Sequence, residues 1–391
     1  MNIVLCVTGS VAATQSVKLA REFKRDGHKI KCFMTEEATK IIHPNSMEFA
    51  TGESVILELT GAIEHVKYSQ VDLILVAPAT ANCISKFTYK IADNPVNTLL
   101  ITAEGHNTPI LFVPSMHDSM YTAIKDNIKK SQSELVSFMN PRMEEGKAKF
   151  PFTKDIILES IRAINKSKKD NIFKNKRILI SLGGTYEPID PIRGITNKSS
   201  GKMGLELAKQ AYTLGADLTL LKANTTVNIP PIFNIIHTET TEEMRNKACE
   251  LIKDYDIFFA TAAVSDFKPI DKKDYKISSD LSLSLDFKPV NKIIKELKDV
   301  NPNIFLVGFK ADYKVSGDDL IESARNQIDF AGTDLVIAND VGKKNCEFGS
   351  NNSEIAMVTS DSVEYDKGSK KDLAINIFNK LESLLWKNIL F

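Results

Sequence analysis

Cysteine is scarce and shows no pairing pattern. Cys6, Cys32, Cys83, Cys249 and Cys346 are odd in number, scattered, and never spaced as C-x-x-C. That argues against a disulfide framework or a thiolate zinc site and fits a reducing, cytoplasmic setting. Long apolar runs are missing as well: none approaches the roughly 20 residues a bilayer span needs, so no membrane partner is expected. Charge of one sign is also lacking. The 50 basic and 50 acidic residues cancel, which removes the electrostatic case for nucleic acid or an anionic surface. The opening MNIVLCVTGS runs straight into a strand pattern, with neither a basic leader nor a small-residue cleavage site, and does not read as a secretory signal.

What is present is enough for two cores of ordinary size: 391 residues, 43% of them apolar. Short apolar runs alternate with amphipathic stretches, which predicts an α/β protein with two doubly wound, Rossmann-like parallel sheets. Strands are expected at 3–7, 29–34, 72–77 and 109–113 in the first half. In the second half they are expected at 177–182, 217–221, 256–260, 304–308 and 334–338, with an antiparallel edge at 354–359. Residues 16–26 read as a helix with Val17, Ala20 and Phe23 on one face. NIVLCVTGS and RILISLGGT each look like the first strand of a sheet, and the lysine-rich NKSKKDNIFKNK between them reads as a connector. The boundary falls near residue 170, giving domains 1–170 and 171–391.

Ligands of doubly wound sheets bind at the carboxyl ends of the strands, which selects the loops 8–13, 34–39 and 78–86. TGSVAA lacks the G-x-G-x-x-G dinucleotide spacing. On its residues alone the first loop is as well explained by a tight turn needing Gly9 as by a phosphate site at a helix N-terminus. VTGSVAA, VDLILVAPATANCISK and VPSMHDSMY, however, resemble the flavin mononucleotide-dependent cysteine decarboxylases. That resemblance implies FMN held by Gly9, Ser10, Thr35, Thr80, Ala81 and Asn82, with His65 in EHVKYSQVDL as a catalytic histidine. Two departures stand out. His117 occupies the place of an asparagine that ligates the substrate carboxylate in the family, and it too can donate a hydrogen bond. The flap PRMEEGKAKF contains no cysteine, as in archaeal-type relatives, which leaves Glu144, Glu145 or a lysine as its acid.

In the second half Gly183-Gly184-Thr185 ends a strand, and SSGKMG opens a helix with Leu207, Ala208, Ala211 and Leu214 facing the core. Ser199 or Ser200 can cap it, and Gly201 permits close approach of a phosphate. Lys202 precedes Met203, so this is no Walker A loop. Taken alone, a phosphate loop and a plain capped helix explain the stretch equally well. In order along the chain, ISLGGTYEPIDPIRGITNKSSGKMG, ATAAVSDF, VGFKAD, DLVIAND and FGSNNSE resemble the phosphopantothenate–cysteine ligases. The resemblance implies a nucleotide lined by Gly183, Gly184, Ala260, Thr261, Ala262, Asp266, Lys276, Val290, Asn291, Lys292, Ile293 and Phe309. Asn197 would contact the activated acyl phosphate and Lys276 would neutralise phosphate charge, while Gln327 and Ala331 stand where the family carries lysines.

Together the halves resemble the bifunctional phosphopantothenoylcysteine decarboxylase/phosphopantothenate–cysteine ligases of coenzyme A biosynthesis. The resemblance implies FMN and Mg2+ as cofactors, the metal held through nucleotide phosphates. It implies 4'-phosphopantothenate, cysteine and CTP or ATP as substrates, and a cytoplasmic homo-oligomer, trimeric through the flavin domain and dimeric through the ligase domain. Two other readings stay open: a ligase with a purely structural flavin domain, and a flavin-binding regulatory subunit. An NAD-dependent dehydrogenase is disfavoured by the missing dinucleotide spacing.

Overall fold

The computed structural model describes every residue except 145–146, 279–282, 348 and 391, together with the side chains of 387–390. Glu145 of the flap and Phe348 of FGSNNSE therefore lie outside the described residues. The chain divides into two compact units, Met1–Asn171 and Ile172–Phe391.

The first unit carries β1 (Asn2–Val7), β2 (Lys29–Met34), β3 (Leu73–Ala79), β4 (Ile110–Pro114), β5 (Met116–His117), β6 (Val136–Phe138), β7 (Arg142–Glu144) and β8 (Lys147–Lys149). Its main sheet runs β2-β1-β3-β4-β6 with every neighbour parallel. All seven residues of β3 are buried. A parallel strand covered on both faces reads as an unbroken apolar run, which is why LILVAPA shows no alternation. Phe112 packs between Phe87 and a stacked Phe138, the ring centroids of the latter pair 4.8 Å apart. The helix Ser16–Arg25 buries Ser16, Leu19, Ala20 and Phe23. Val17, expected on this face, is only half-buried, because the stripe starts at Ser16 and follows the i, i+3, i+4, i+7 pattern from there. The flap strands form a separate antiparallel sheet, β5-β8-β7, in which Lys147 lies opposite both His117 and Glu144.

The second unit carries β9 (Arg177–Leu182), β10 (Tyr186–Pro188), β11 (Gly194–Thr196), β12 (Asp217–Lys222), β13 (Asn234–His237), β14 (Ile257–Ala260), β15 (Phe267–Pro269), β16 (Phe287–Pro289), β17 (Phe305–Asp312), β18 (Leu335–Asp340), β19 (Asn352–Val358) and β20 (Val363–Ser369). The large sheet runs β13-β12-β9-β14-β17-β18-β19-β20, parallel as far as β18 and antiparallel for the last two strands. The antiparallel edge expected at 354–359 is β19, extended by a further strand. Successive residues of a strand face opposite layers. Phe258 accordingly joins Met244, Leu297 and Leu306 on one side, while Phe259 stacks on Phe378 on the other, centroids 5.3 Å apart. Two small hairpin sheets, β10–β11 and β15–β16, stand outside the main one. Among the described residues no helix is long and apolar enough to cross a membrane.

Candidate active sites

In each sheet the strand order reverses once: between β1 and β3 in the first unit, and between β9 and β14 in the second. Such a switch point splays the two following loops apart and leaves a crevice at the carboxyl ends of the strands. Part of the expected set lies at these two places, and part does not.

In the first unit four loops are laced together. The Thr8 hydroxyl donates to the Pro78 carbonyl at 2.8 Å and accepts from the Thr80 N–H at 3.0 Å. Ser115 N–H donates to the Ala79 carbonyl at 3.1 Å, and the Ser10 hydroxyl donates to the Ser115 carbonyl at 3.3 Å. Thr35 N–H donates to the Val7 carbonyl at 3.1 Å. Gly9, Ser10, Thr35, Thr80, Ala81 and Asn82 thus share one rim. Ser10, Thr35 and Thr80 are each the residue before a short helix, and each hydroxyl accepts a backbone N–H of that helix. Gly9 has a steric reason to be glycine: a Cβ there would lie 2.4 Å from the Cβ of Glu37. The turn and the phosphate-site explanations of Gly9 are therefore compatible, since the close approach forms the rim. Thr8 and Ser115, which fasten this rim, lie within VTGSVAA and VPSMHDSMY, where neither was expected to bind a ligand.

A rim of three hydroxyls and helix-start N–H groups around a crevice fits the phosphate of a flavin nucleotide. His65 stands apart, in the short helix Glu64–Lys67 that packs against the helix Pro95–Gly105. Its Nδ1 is buried and has no hydrogen-bond partner among the described residues. His117 is exposed, with Nδ1 2.8 Å from the Ser119 hydroxyl and 2.9 Å from Asp118 Oδ1. The oxygens of Glu144 are engaged by Arg142 at 2.9 Å and Lys149 at 3.1 Å.

In the second unit the loop after β9 is bridged on both sides. Gly184 N–H donates to the Asn224 carbonyl at 2.8 Å, and Ala263 N–H donates to the Gly183 carbonyl at 2.8 Å. Gly183 has φ +91°, and a Cβ there would lie 2.4 Å from the Asn224 oxygen, so only glycine fits. Asn197 Nδ2 donates to the Ala263 carbonyl at 3.2 Å and the Val264 carbonyl at 3.0 Å. Both amide protons are thereby committed, and Asn197 holds the loop after β14 in place. Thr261 donates its hydroxyl to the Ser181 carbonyl, and Ala262 N–H donates to Ser181 Oγ at 3.3 Å. The helix Lys202–Thr213 begins at Gly201, φ +75°, with no side-chain cap; Ser200 Oγ instead accepts the Lys202 N–H at 3.4 Å. The N-cap position is thus a left-handed glycine, and of the two serines expected to cap the helix Ser200 serves its first N–H from one residue earlier.

Between these loops lies a cavity of about 960 Å³. Its walls include Asn197, Ala260, Thr261, Ala262, Asp266, Lys292, Ile293 and Phe309 from the expected set. Asp266 and Lys292 form an ion pair within it. Five lysines, Lys198, Lys202, Lys292, Lys310 and Lys370, face two carboxylates, Asp266 and Glu347, so the lining is net positive and suited to a polyanion. Gln327 lines the cavity, whereas Ala331 is buried away from it.

Gly183, Gly184, Val290, Asn291 and Lys276 do not line it. For Lys276 the reason is local. The Asp190 carboxylate accepts from Arg193 Nη2 at 2.5 Å and from Ile277 N–H at 3.2 Å, and Arg193 Nη2 also donates to the Ile277 carbonyl at 2.7 Å. This clamp fixes the segment beside Lys276 against the β10–β11 hairpin, leaving Lys276 exposed. The Arg193 guanidinium holds the Asp190 carboxyl well below the usual carboxylate range. Among the described residues no three His, Cys, Asp or Glu side chains are grouped to hold a metal ion.

Residues 1–165 match the Flavoprotein family, and residues 173–385 match the DFP family, the DNA/pantothenate metabolism flavoprotein C-terminal domain. The chain is 44% identical over 396 residues to the coenzyme A biosynthesis bifunctional protein CoaBC of Thermococcus kodakarensis, covering 98% of this chain and 95% of that protein. It is 38% identical over 388 residues to the protein of the same description from Methanocaldococcus jannaschii, with 98% and 94% covered. Among solved structures it is similar to the DNA/pantothenate metabolism flavoprotein from Streptococcus pneumoniae, at 26% identity and a TM-score of 0.48, covering 53% of this chain and 99% of that one.

Proposed function

The chain belongs to the bifunctional CoaBC family of coenzyme A biosynthesis, and on that premise we propose that its second unit joins 4'-phosphopantothenate to cysteine at the expense of CTP while its first unit decarboxylates the product to 4'-phosphopantetheine. The observation that carries the ligase reading is the lysine-lined cavity at the β9/β14 switch point.

A carboxylate is a poor electrophile, so ligation needs activation. The substrate carboxylate attacks the α-phosphorus of CTP, the bond to the β-phosphate oxygen breaks, and pyrophosphate leaves. The cysteine amine then attacks the acyl carbon, CMP departs with the former carboxylate oxygen, and the amine proton is released. Negative charge moves onto the leaving group in both steps, and the cavity's lysines oppose it without having to reorganise. Mg2+ accompanies the phosphates and is expected to reach the protein through them. Asn197 acts as a positioning residue: it holds the carbonyls of Ala263 and Val264, and hence the loop over the reacting atoms. Lys276 stands ready to neutralise phosphate charge only once its segment moves toward the cavity. ATP is an alternative nucleotide, and the uncharged Gln327 in the wall is the residue whose replacement tests base choice.

In the first unit Ser10, Thr35 and Thr80 would hold the FMN phosphate, with Gly9, Ala81 and Asn82 completing the rim. When bound, FMN supplies the electron sink that makes loss of carbon dioxide from a saturated thiol carboxylate feasible. His65 offers a ring nitrogen, without a partner among the described residues, for holding or moving a proton. His117, its Nδ1 engaged by Ser119 and Asp118, keeps Nε2 for the substrate carboxylate. Glu144 already serves two cations, whereas Lys147 stands directly across from His117, so the proton for the last step is assigned to Lys147 or His117. Family assembly, three flavin units and two ligase units about their axes, completes the proposal, with the cytoplasm as its setting.

The test is to purify the chain, check it for bound flavin, and supply 4'-phosphopantothenate, cysteine, magnesium and CTP. Phosphopantetheine and carbon dioxide are the expected products by mass spectrometry. Phosphopantothenoylcysteine accumulating alone would leave only the ligase, and no product at all would favour the regulatory reading.

A further inference from the structure

One end of the second unit's cavity holds two ammonium groups that form no ion pair among the described residues. Lys202 opens the helix Lys202–Thr213, and Lys370 opens the helix Lys370–Leu390. Both are steered by one residue: Lys202 Nζ donates to Asn351 Oδ1 at 2.8 Å and to the Gly349 carbonyl, and Lys370 N–H donates to the Asn351 carbonyl at 2.9 Å. Both side chains line the cavity, beside Cys346, Ser353 and the exposed Glu347. Among the described residues neither lysine forms an ion pair, and the next carboxylate along the strand, Glu354, is taken up by Lys343 and Lys367. Burial, and then the charge of Lys202, pushes the Lys370 ammonium below its ordinary range, while Cys346 opposes the shift.

Two like charges brought together in a half-buried pocket destabilise the empty state unless an anion takes up the surplus. The start of a twelve-residue helix adds positive potential at the same end. We propose that Lys202 and Lys370 form a subsite for a phosphate-bearing anion, with the leaving pyrophosphate of the nucleotide as its ligand and the terminal phosphate of the acid substrate as the other source of the same chemistry. The assignment rests on the ligase reading of this cavity. Asn351 is the positioning residue of the pair, and Lys370, whose ammonium makes no ion pair or hydrogen bond among the described residues, is the better residue to perturb.

The test is calorimetric titration of the whole chain with inorganic pyrophosphate and, separately, with 4'-phosphopantothenate, for the parent protein and for Lys370→Gln, Lys202→Gln and Lys370→Arg. Loss of one charge-assisted contact should weaken pyrophosphate binding about tenfold or more in Lys370→Gln. Lys370→Arg should recover most of it, which a merely structural role for the side chain would not predict after an equally stable fold. Weakening confined to 4'-phosphopantothenate would keep the subsite and assign it to the acid substrate. Unchanged binding of both ligands in Lys370→Gln and Lys202→Gln, in a parent protein that ligates, would overturn the subsite and leave the ligase reading intact. Lysine-dependent pyrophosphate binding in a parent protein that does not ligate would do the reverse.

Discussion

Asn197→Asp puts the positioning role of Asn197 to a quantitative test. The substitution keeps the shape of the side chain but replaces an NH2 that serves two carbonyls, at 3.0 and 3.2 Å, with a charged oxygen facing them. Each neutral hydrogen bond contributes about 0.5–1.5 kcal/mol net, so the loop from Ala263 to Val264 loses roughly 1–3 kcal/mol of support before any repulsion is counted. If that support is used to hold the reactive geometry, the loss appears in the barrier, where about 1.4 kcal/mol is tenfold in rate. Ligation should fall roughly 5- to 150-fold in kcat/KM. The assay is pyrophosphate release with 4'-phosphopantothenate, cysteine and CTP, run beside decarboxylation of supplied phosphopantothenoylcysteine by the same preparation. Decarboxylation should not change, because Asn197 belongs to the second unit. Unchanged ligation would refute the positioning role, and an equal loss of both activities would show that the substitution damages folding instead.

His65→Asn should remove decarboxylation and spare ligation, measured as phosphopantothenoylcysteine accumulating in the coupled reaction. Gly9→Ala places a Cβ 2.4 Å from that of Glu37, and overpacking of this kind costs about 1–3 kcal/mol. The variant should bind flavin more weakly, read from the flavin absorbance of the purified protein, and unfold at lower denaturant. Asp190→Asn tests the clamp. Because the folded-state pKa of Asp190 is depressed, its ionised form stabilises the fold above the ordinary value of 3.8, and that contribution is lost as pH falls below it. The parent should therefore be more stable than Asp190→Asn at neutral pH, and the difference should shrink through denaturant titrations at progressively lower pH below about 4.

Buried parallel strands were legible because covering on both faces forces an unbroken apolar run: IVLCV in β1 and LILVA in β3 stand out without any structure. The hairpins β10–β11 and β15–β16 did not stand out, since three-residue strands outside the core need no apolar face and YEP or FKP read as loop. β13 and β20 were hidden for a related reason, lying at the two edges of the large sheet where polar residues are tolerated. Ligand rims were located by the rule that loops follow strands to the carboxyl edge, and their residue roles came from resemblance. The fastening roles of Thr8 and Ser115 could not be seen in VTGSVAA and VPSMHDSMY, because they lie in hydrogen bonds between segments some 70 residues or more apart. Lys370 is similar: in GSKKDLA it is one lysine of a helix start, and only the return of the last helix to the sheet brings it to the cavity. Lys276 shows the opposite case, a residue whose motif matches while the Asp190–Arg193 clamp keeps its segment outside.

Nucleotidyl activation of a carboxylate in the second unit's cavity is the central claim, and oxygen transfer reports it directly. 4'-Phosphopantothenate labelled with 18O in its carboxylate is incubated with the whole chain, cysteine, magnesium and CTP, and the nucleotide and phosphate products are weighed by mass spectrometry. One 18O per turnover should appear in CMP, with none in pyrophosphate. Label in inorganic phosphate with formation of CDP, or product formed with no label leaving the carboxylate for any phosphorus, would contradict it.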